Sequence, residues 1–268
     1  VIMTRTRPCI GVTGPDRGGI AAWLFTALAI LLQGGWPTRI TPSRGVNIDK
    51  LDGLVIGGGA DIAPDFDFSE LELDQEAIRS RNILVSLLML IVYPVIFVFR
   101  RLVSLKDGHD IDIARDELEI GLLKQALERQ LPVLGICRGS QLINRFYDGD
   151  LHSDIGEFYE EEAIPRSVFP TKDILVEPGS HLARALEIQK CRINALHHQA
   201  IDKLGEGLRI TAREPNGIVQ AIEHEQLPFV IGVQWHPEYM VLHKVQRRLF
   251  RMLISTAIDN QASRLQSS

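Results

Sequence analysis

An apolar run, Pro132-Val133-Leu134, leads into Gly135-Ile136-Cys137-Arg138-Gly139 and continues as Ser140-Gln141-Leu142-Ile143, and no other feature restricts the fold of this chain as much. The layout is that of a strand turning sharply into a helix, a nucleophile elbow. Glycines flank the turn because a Cβ there would collide with neighbouring backbone. The side chain held up at the sheet edge is Cys137, and a helix N-terminus beneath it favours the thiolate, the reactive form of cysteine. A cysteine at a strand end can equally be a small buried hydrophobe, so the reading needs partners elsewhere in the sequence.

Those partners lie almost a hundred residues downstream, in Phe229-Val230-Ile231-Gly232-Val233-Gln234-Trp235-His236-Pro237-Glu238. This is a second apolar strand, ending in a histidine with a carboxylate two positions on. A cysteine nucleophile needs an imidazole to manage its proton, and the imidazole needs a third group to fix its tautomer. His236 and Glu238 fit those two roles.

With these motifs in hand, the chain resembles the class I glutamine amidotransferase-like superfamily, and within it the gamma-glutamyl-gamma-aminobutyrate hydrolase type of cysteine peptidase. The resemblance is carried by Ile10-Gly11-Val12-Thr13, by Leu51 to Pro64 with its Gly57-Gly58-Gly59 turn, and by Arg115-Asp116 through Asn144. His197-His198-Gln199-Ala200 and Gln234-Trp235-His236-Pro237-Glu238 extend it. It implies hydrolysis of a γ-glutamyl amide by a Cys137-His236-Glu238 triad through a γ-glutamyl thioester. The backbone N–H of Gly58 or Gly59, with that of Arg138, would form the oxyanion hole that acyl transfer needs. The resemblance also implies substrate contacts for Gln141, His197 and His198. Gln141 reads otherwise as a helix-surface residue, and the two histidines as a strand-end cap. Two other readings stand beside the hydrolase: a glutaminase subunit that delivers ammonia to a partner synthetase, and a non-catalytic membrane-associated scaffold. Phe146-Tyr147-Asp148-Gly149-Asp150 departs from the glycine-rich turn usual in the family, which bears on substrate choice.

The order of apolar runs predicts an α/β fold, a flavodoxin-like three-layer α/β/α sandwich with a mostly parallel central sheet. Strands are expected at Pro8–Thr13, Thr38–Ile40, Leu54–Ile56 and Val133–Ile136, and helices at Ile20–Gln33, Arg115–Glu128 and Ser140–Phe146. Four further strands, at Asp173–Val176, Arg192–Leu196, Leu208–Ala212 and Val219–Glu223, make the later part richer in β-structure. In such a sheet, ligands bind at the carboxyl ends of the strands, where Gly58, Cys137 and His236 would meet. The length of 268 residues, with 45% hydrophobic and 24% charged residues, suits a single domain over 1–268.

No cofactor is expected, and no metal, since neither Cys nor carboxylate lies near the histidine pair at zinc-type spacing. The net charge of −5 argues against a nucleic-acid partner. Three scattered cysteines and the lack of a secretory leader lead to the expectation of a reducing, cytoplasmic setting.

One stretch departs from the family pattern, a hydrophobic insertion at about 66–110 containing the apolar run Ile83–Phe99. As a helix it would be about 25 Å long, slightly short of a hydrocarbon core of about 30 Å. A single crossing is excluded, because the strands ending at Ile56 and Ile136 must enter one sheet. The reading is monotopic attachment at the cytoplasmic face of a membrane, with a homo-oligomer interface and an ordinary internal helix as the alternatives. Ile20–Leu32 is apolar nearly all round and also asks for a cover. The helix from Met240, with His243, Lys244, Arg247, Arg248 and Arg251, is read as a basic amphipathic helix able to rest on anionic lipid.

Overall fold

Hydrophobic alternation along short strands sets up the fold in the computed structural model, which describes residues 7–58, 112–159 and 167–267. Strand β1 (Cys9–Thr13) is followed by α1 (Ile20–Leu32), β2 (Trp36–Ile40) and β3 (Gly53–Ile56). Next come α2 (Ile113–Glu128), β4 (Val133–Ile136) and α3 (Arg138–Phe146). The remaining elements are β5 (Leu151–His152), β6 (Ser167–Val176), α4 (His181–Leu186), β7 (Lys190–Ala195), β8 (Ala200–Ile201), β9 (Leu208–Arg213), β10 (Val219–His224), β11 (Val230–Val233) and α5 (Lys244–Ser267).

Among the described residues nine strands form one sheet in the order β2-β1-β3-β4-β11-β10-β9-β6-β7. From β2 to β11 every pairing is parallel; from β11 to β7 every pairing is antiparallel. Inside the edge strand β2, the parallel strands are buried on both faces, as strands between two helical layers must be. Val55, Leu134, Ile136, Ile231 and Val233 face one core with Leu249, Phe250 and Leu253 of α5. Their neighbours Leu54, Ile56, Val133 and Val230 face the other core with Leu122 and Leu123 of α2 and Leu142 and Ile143 of α3. The period-2 alternation thus splits each strand between two layers, giving a three-layer α/β/α sandwich.

Gly135 and Gly232 occupy the strand positions that face α3. A Cβ on Gly135 would lie 2.6 Å from the Gly139 carbonyl oxygen, and one on Gly232 would lie 2.6 Å from Ser140 Oγ. Their lack of a side chain lets α3 sit directly on β4 and β11, with its first residue at the sheet edge.

The structure corrects the lipid reading of the C-terminal helix. Helix α5 starts at Lys244, after a short 3₁₀ turn over Pro237–Met240. Its apolar face, Leu249, Phe250, Leu253, Ile254 and Ala257, is buried against the sheet and not offered to solvent. Three of its arginines are held within the protein. Arg248 donates to the Leu186 carbonyl (2.8 Å) and pairs with Glu187 (2.8 Å), Arg247 donates to the Val241 carbonyl (3.2 Å), and Arg251 donates to Gln33 (3.3 Å). Helix α1 does expose apolar surface, with Leu24, Leu28, Leu31 and Leu32 each more than two-fifths accessible. The insertion at 66–110, with Ile83–Phe99, lies outside the described residues. Among the described residues no helix is long and apolar enough to cross a membrane.

Candidate active site

The parallel strands deliver the site residues to one edge of the sheet. Cys137 follows β4 and is the N-cap of α3, with φ 52° and ψ −106°. Positive φ in a residue with a side chain costs on the order of 1–3 kcal/mol and persists only where the surroundings impose it. They do so here. The Cys137 N–H donates to the Val233 carbonyl of β11 (2.8 Å), and its own carbonyl accepts from the N–H groups of Ser140 (3.0 Å) and Gln141 (3.3 Å). On the far side, Gly139 packs so tightly on β3 that a Cβ would lie 2.1 Å from the Ile56 carbonyl oxygen. Helix α3 therefore begins at Arg138, immediately after the cysteine, two residues earlier than the sequence suggests.

His236 lies just beyond β11. Its ring Nδ1 is 2.7 Å from Glu238 Oε1, and both side chains are buried. The imidazole stacks on the Tyr239 ring at 5.3 Å between centroids. Burial lowers the His236 pKa, but the Glu238 carboxylate and then Cys137, by charge and by a hydrogen bond, outweigh it and raise the pKa to about 10. Gly58, just past β3, completes the cluster. A Cβ added there would lie 2.9 Å from His236 Cε1 and 3.5 Å from Cys137 Cβ. Cys137, His236, Glu238, Gly58 and Arg138 are thus brought together, whereas Gly59 lies outside the described residues.

Gln141 and the histidines read as substrate contacts form, with further glutamines, a connected layer beside the cysteine. Gln141 is buried, not on a helix surface, and its Nε2 donates to the Gln199 carbonyl (3.2 Å) and to Gln234 Oε1 (3.2 Å). Gln234 Nε2 in turn lies 3.6 Å from Cys137 Sγ. His197 is buried, and that burial pushes its pKa down to about 4, so the ring is neutral at pH 7. One tautomer satisfies both of its contacts: Nδ1–H donates to the Gln199 carbonyl (2.9 Å) and Nε2 accepts from Gln220 Nε2 (3.2 Å). His198 is half-buried next to it, and its carbonyl accepts from the Ile155 N–H (2.9 Å). Burial drives the Cys191 thiol up to about 12. Among the described residues no three His, Cys, Asp or Glu side chains are grouped so as to hold a metal ion.

Two features escaped the sequence. Asn194, the penultimate residue of β7, clamps the His236 backbone: its Oδ1 accepts from the His236 N–H (2.8 Å) and its Nδ2 donates to the His236 carbonyl (3.0 Å). Asn194 is fully buried, and β7 also carries Lys190 and Arg192, so the strand's sequence did not single the asparagine out. The second feature is the buried pair Arg115 and Glu119, four residues apart on α2, beneath the Gly57-Gly58 turn.

With this geometry in view, comparison with known proteins is decisive. The Peptidase C26 family model matches residues 92–238, more than half of the chain, and takes in Cys137, His236 and Glu238. The chain belongs to the Peptidase C26 family. Among curated relatives, a glutamine amidotransferase-like protein of Rickettsia prowazekii is 33% identical, over 53% of this chain and 66% of its own length. The gamma-glutamyl-gamma-aminobutyrate hydrolase of Escherichia coli K12 is 35% identical, over 50% of this chain and 56% of its own length. The chain thus spans between half and two thirds of the length of these relatives. A solved structure from Thermoplasma acidophilum, named as part of a GMP synthase, superposes with a TM-score of 0.59 at 18% identity, covering 98% of this chain and 99% of that one. That likeness bears on the fold, which it shares with the glutamine amidotransferase of Methylobacillus flagellatus (TM-score 0.51, 13% identity, 96% and 94% coverage).

Proposed function

We propose that this C26 protein hydrolyses a γ-glutamyl amide with Cys137 as nucleophile, His236 as acid and base, and Glu238 as the group that orients the imidazole. The observation that carries the reading is the backbone-strained Cys137 meeting, at one sheet edge, the 2.7 Å His236–Glu238 pair and the Gly58 turn. In this scheme the Cys137 thiolate attacks the γ-carbonyl carbon, and the oxygen takes the electron pair while facing the N–H groups of Gly58 and Arg138. Collapse breaks the C–N bond, and His236 gives its proton to the departing amine. Water, deprotonated by His236, then opens the γ-glutamyl thioester and releases glutamate and the free thiolate. Gln141, His197 and His198 are proposed to line the glutamyl side.

The test is amine or ammonia release from a panel of γ-glutamyl amides and glutamine, by wild type and Cys137→Ala, with no partner added. Release that depends on Cys137 supports a stand-alone hydrolase. Silence on the whole panel would sink it in favour of an ammonia-delivering subunit or a scaffold.

The acid role of His236 carries its own pH dependence. Its folded pKa of about 10 lies above its ordinary 6.5, so its contribution to stability is complete below about pH 6.5 and is lost as pH rises through about 10. In activity, Glu238→Gln removes the charge that holds the imidazolium, so the His236 pKa falls. The alkaline limb of the kcat profile is expected to move to lower pH in that variant; an unmoved limb would remove Glu238 from the mechanism.

A location at the cytoplasmic face of a membrane is part of the same proposal. The exposed leucines of α1 favour a covered face over a solvated one. Wild type is expected to float with phosphatidylglycerol-containing vesicles and Leu28→Glu is not. A protein that stays with the buffer as a dimer in light scattering would replace lipid with a second copy of the chain.

A further inference from the structure

Beneath the Gly57-Gly58 turn lies a charged network that the catalytic scheme does not use. The Arg115 side chain is almost fully buried. Its Nη2 donates to two successive carbonyls, Gly57 (2.9 Å) and Gly58 (3.0 Å), and its Nε donates to Glu119 Oε1 (2.8 Å). The same carboxylate oxygen accepts from Thr13 Oγ1 (2.7 Å), and that hydroxyl accepts from the Gly57 N–H (3.2 Å). The other oxygen of Glu119 accepts from Nη1 of Arg138, the residue after the nucleophile, whose Nη2 pairs with Asp116. Glu119 itself has no exposed surface.

Two consequences follow from peptide geometry. A trans peptide directs its N–H opposite its carbonyl, so fixing the Gly57 carbonyl on Arg115 aims the Gly58 N–H away from α2. The turn also has almost no room for adjustment, since a Cβ on Gly57 would lie 2.5 Å from the Thr13 carbonyl oxygen. A planar guanidinium suits this task because it offers several donors in fixed directions, whereas an ammonium is a mobile point charge.

We propose that Arg115 and Glu119 are positioning residues for the oxyanion hole, with Glu119 tying the Gly58 turn, through Arg115 and Thr13, to Arg138. The inference rests on the hydrolase reading above. Neither residue touches substrate; they hold in register two backbone donors from separate strand ends. Such preorganisation matters because donors act on the charge of the transition state only when already in place.

The experiment compares two reactions of the same thiol in wild type, Arg115→Met, Arg115→Lys and Glu119→Gln. One is hydrolysis of γ-glutamyl p-nitroanilide, which passes through an oxyanion. The other is alkylation of Cys137 by iodoacetamide, which does not. Arg115→Met is expected to lose roughly 10- to 100-fold in kcat with little change in KM, somewhat less than removal of an oxyanion donor itself. Its alkylation rate should stay close to wild type, and Arg115→Lys should recover part of the loss. Should the methionine variant not fold, the lysine and Glu119→Gln variants are read in the same way, with a smaller selective loss expected. Unchanged hydrolysis, or equal loss in both reactions, overturns the positioning role while leaving Cys137-dependent hydrolysis intact. Wild-type hydrolysis that does not depend on Cys137 overturns the hydrolase reading and this inference together.

Discussion

Replacement of Cys137 by alanine is expected to abolish γ-glutamyl amide cleavage, a loss of at least about 10⁴-fold, with little effect on the fold. The size follows from what the side chain does in the proposed scheme: it supplies the atom that bonds to the carbonyl carbon, and neither His236 nor the oxyanion donors can substitute for it. Small effects on stability follow from its setting. Cys137 is half-buried at a sheet edge, and its backbone, not its sulfur, makes the bonds to Val233, Ser140 and Gln141. Alanine retains those bonds and the positive φ. Activity measured alongside the urea unfolding midpoint separates the two effects. A folded alanine variant that still turns over would sink the nucleophile assignment.

The largest expected effect on stability is at Gly139. A methyl group there would lie 2.1 Å from the Ile56 carbonyl oxygen and 3.1 Å from Ile56 Cβ. Both neighbours belong to a central strand that cannot move without disturbing its partners β1 and β4. Gly139→Ala therefore forces α3 away from the sheet and should cost about 4 kcal/mol or more, in the exceptional class for single substitutions. At about 2–4 °C per kcal/mol for a domain of this size, Tm should fall by roughly 10 °C. The control is Gly121 in α2, where a Cβ would meet nothing within 4 Å. Gly121→Ala is expected to stabilise by up to about 1 kcal/mol, through helix propensity alone. Equal melting temperatures for the two variants would mean that the packing of α3 on β3 is not as tight as described.

The elbow was legible because it is local. A strand of four residues, a cysteine with a glycine two positions away on either side and a helix all lie within about a dozen positions, and the glycine pattern encodes the close approach. The strand cores were legible for the same reason, whereas their ends were not. Strand β2 begins at Trp36 and runs through Pro37, which a strand interior would reject; β2 is an edge strand with only β1 beside it, so the missing N–H is not needed. The switch from parallel to antiparallel pairing after β11 was visible only as a β-rich stretch, because pairing partners are set by topology and not by composition.

Helix α5 shows the limit of amphipathic pattern. A basic polar face opposite leucines and a phenylalanine looks alike whether the apolar stripe meets lipid or a sheet. Leu249, Phe250, Leu253, Ile254 and Ala257 turn out to complete one face of the core. Asn194, Arg115 and Glu119 were illegible as functional candidates for another reason. Their partners lie 42, 58 and 106 residues away in sequence, at His236, Gly57 and Thr13 respectively, and only the folded sheet edge brings them together.

The most direct test of the central claim is to mix the wild-type protein with γ-glutamyl p-nitroanilide, quench in acid within the first turnover, and locate any γ-glutamyl adduct by peptide mass spectrometry. The account requires one γ-glutamyl group, labile to hydroxylamine as a thioester is, on the peptide carrying Cys137. It would be contradicted by amine release with no adduct on that peptide and with the same rate in Cys137→Ala.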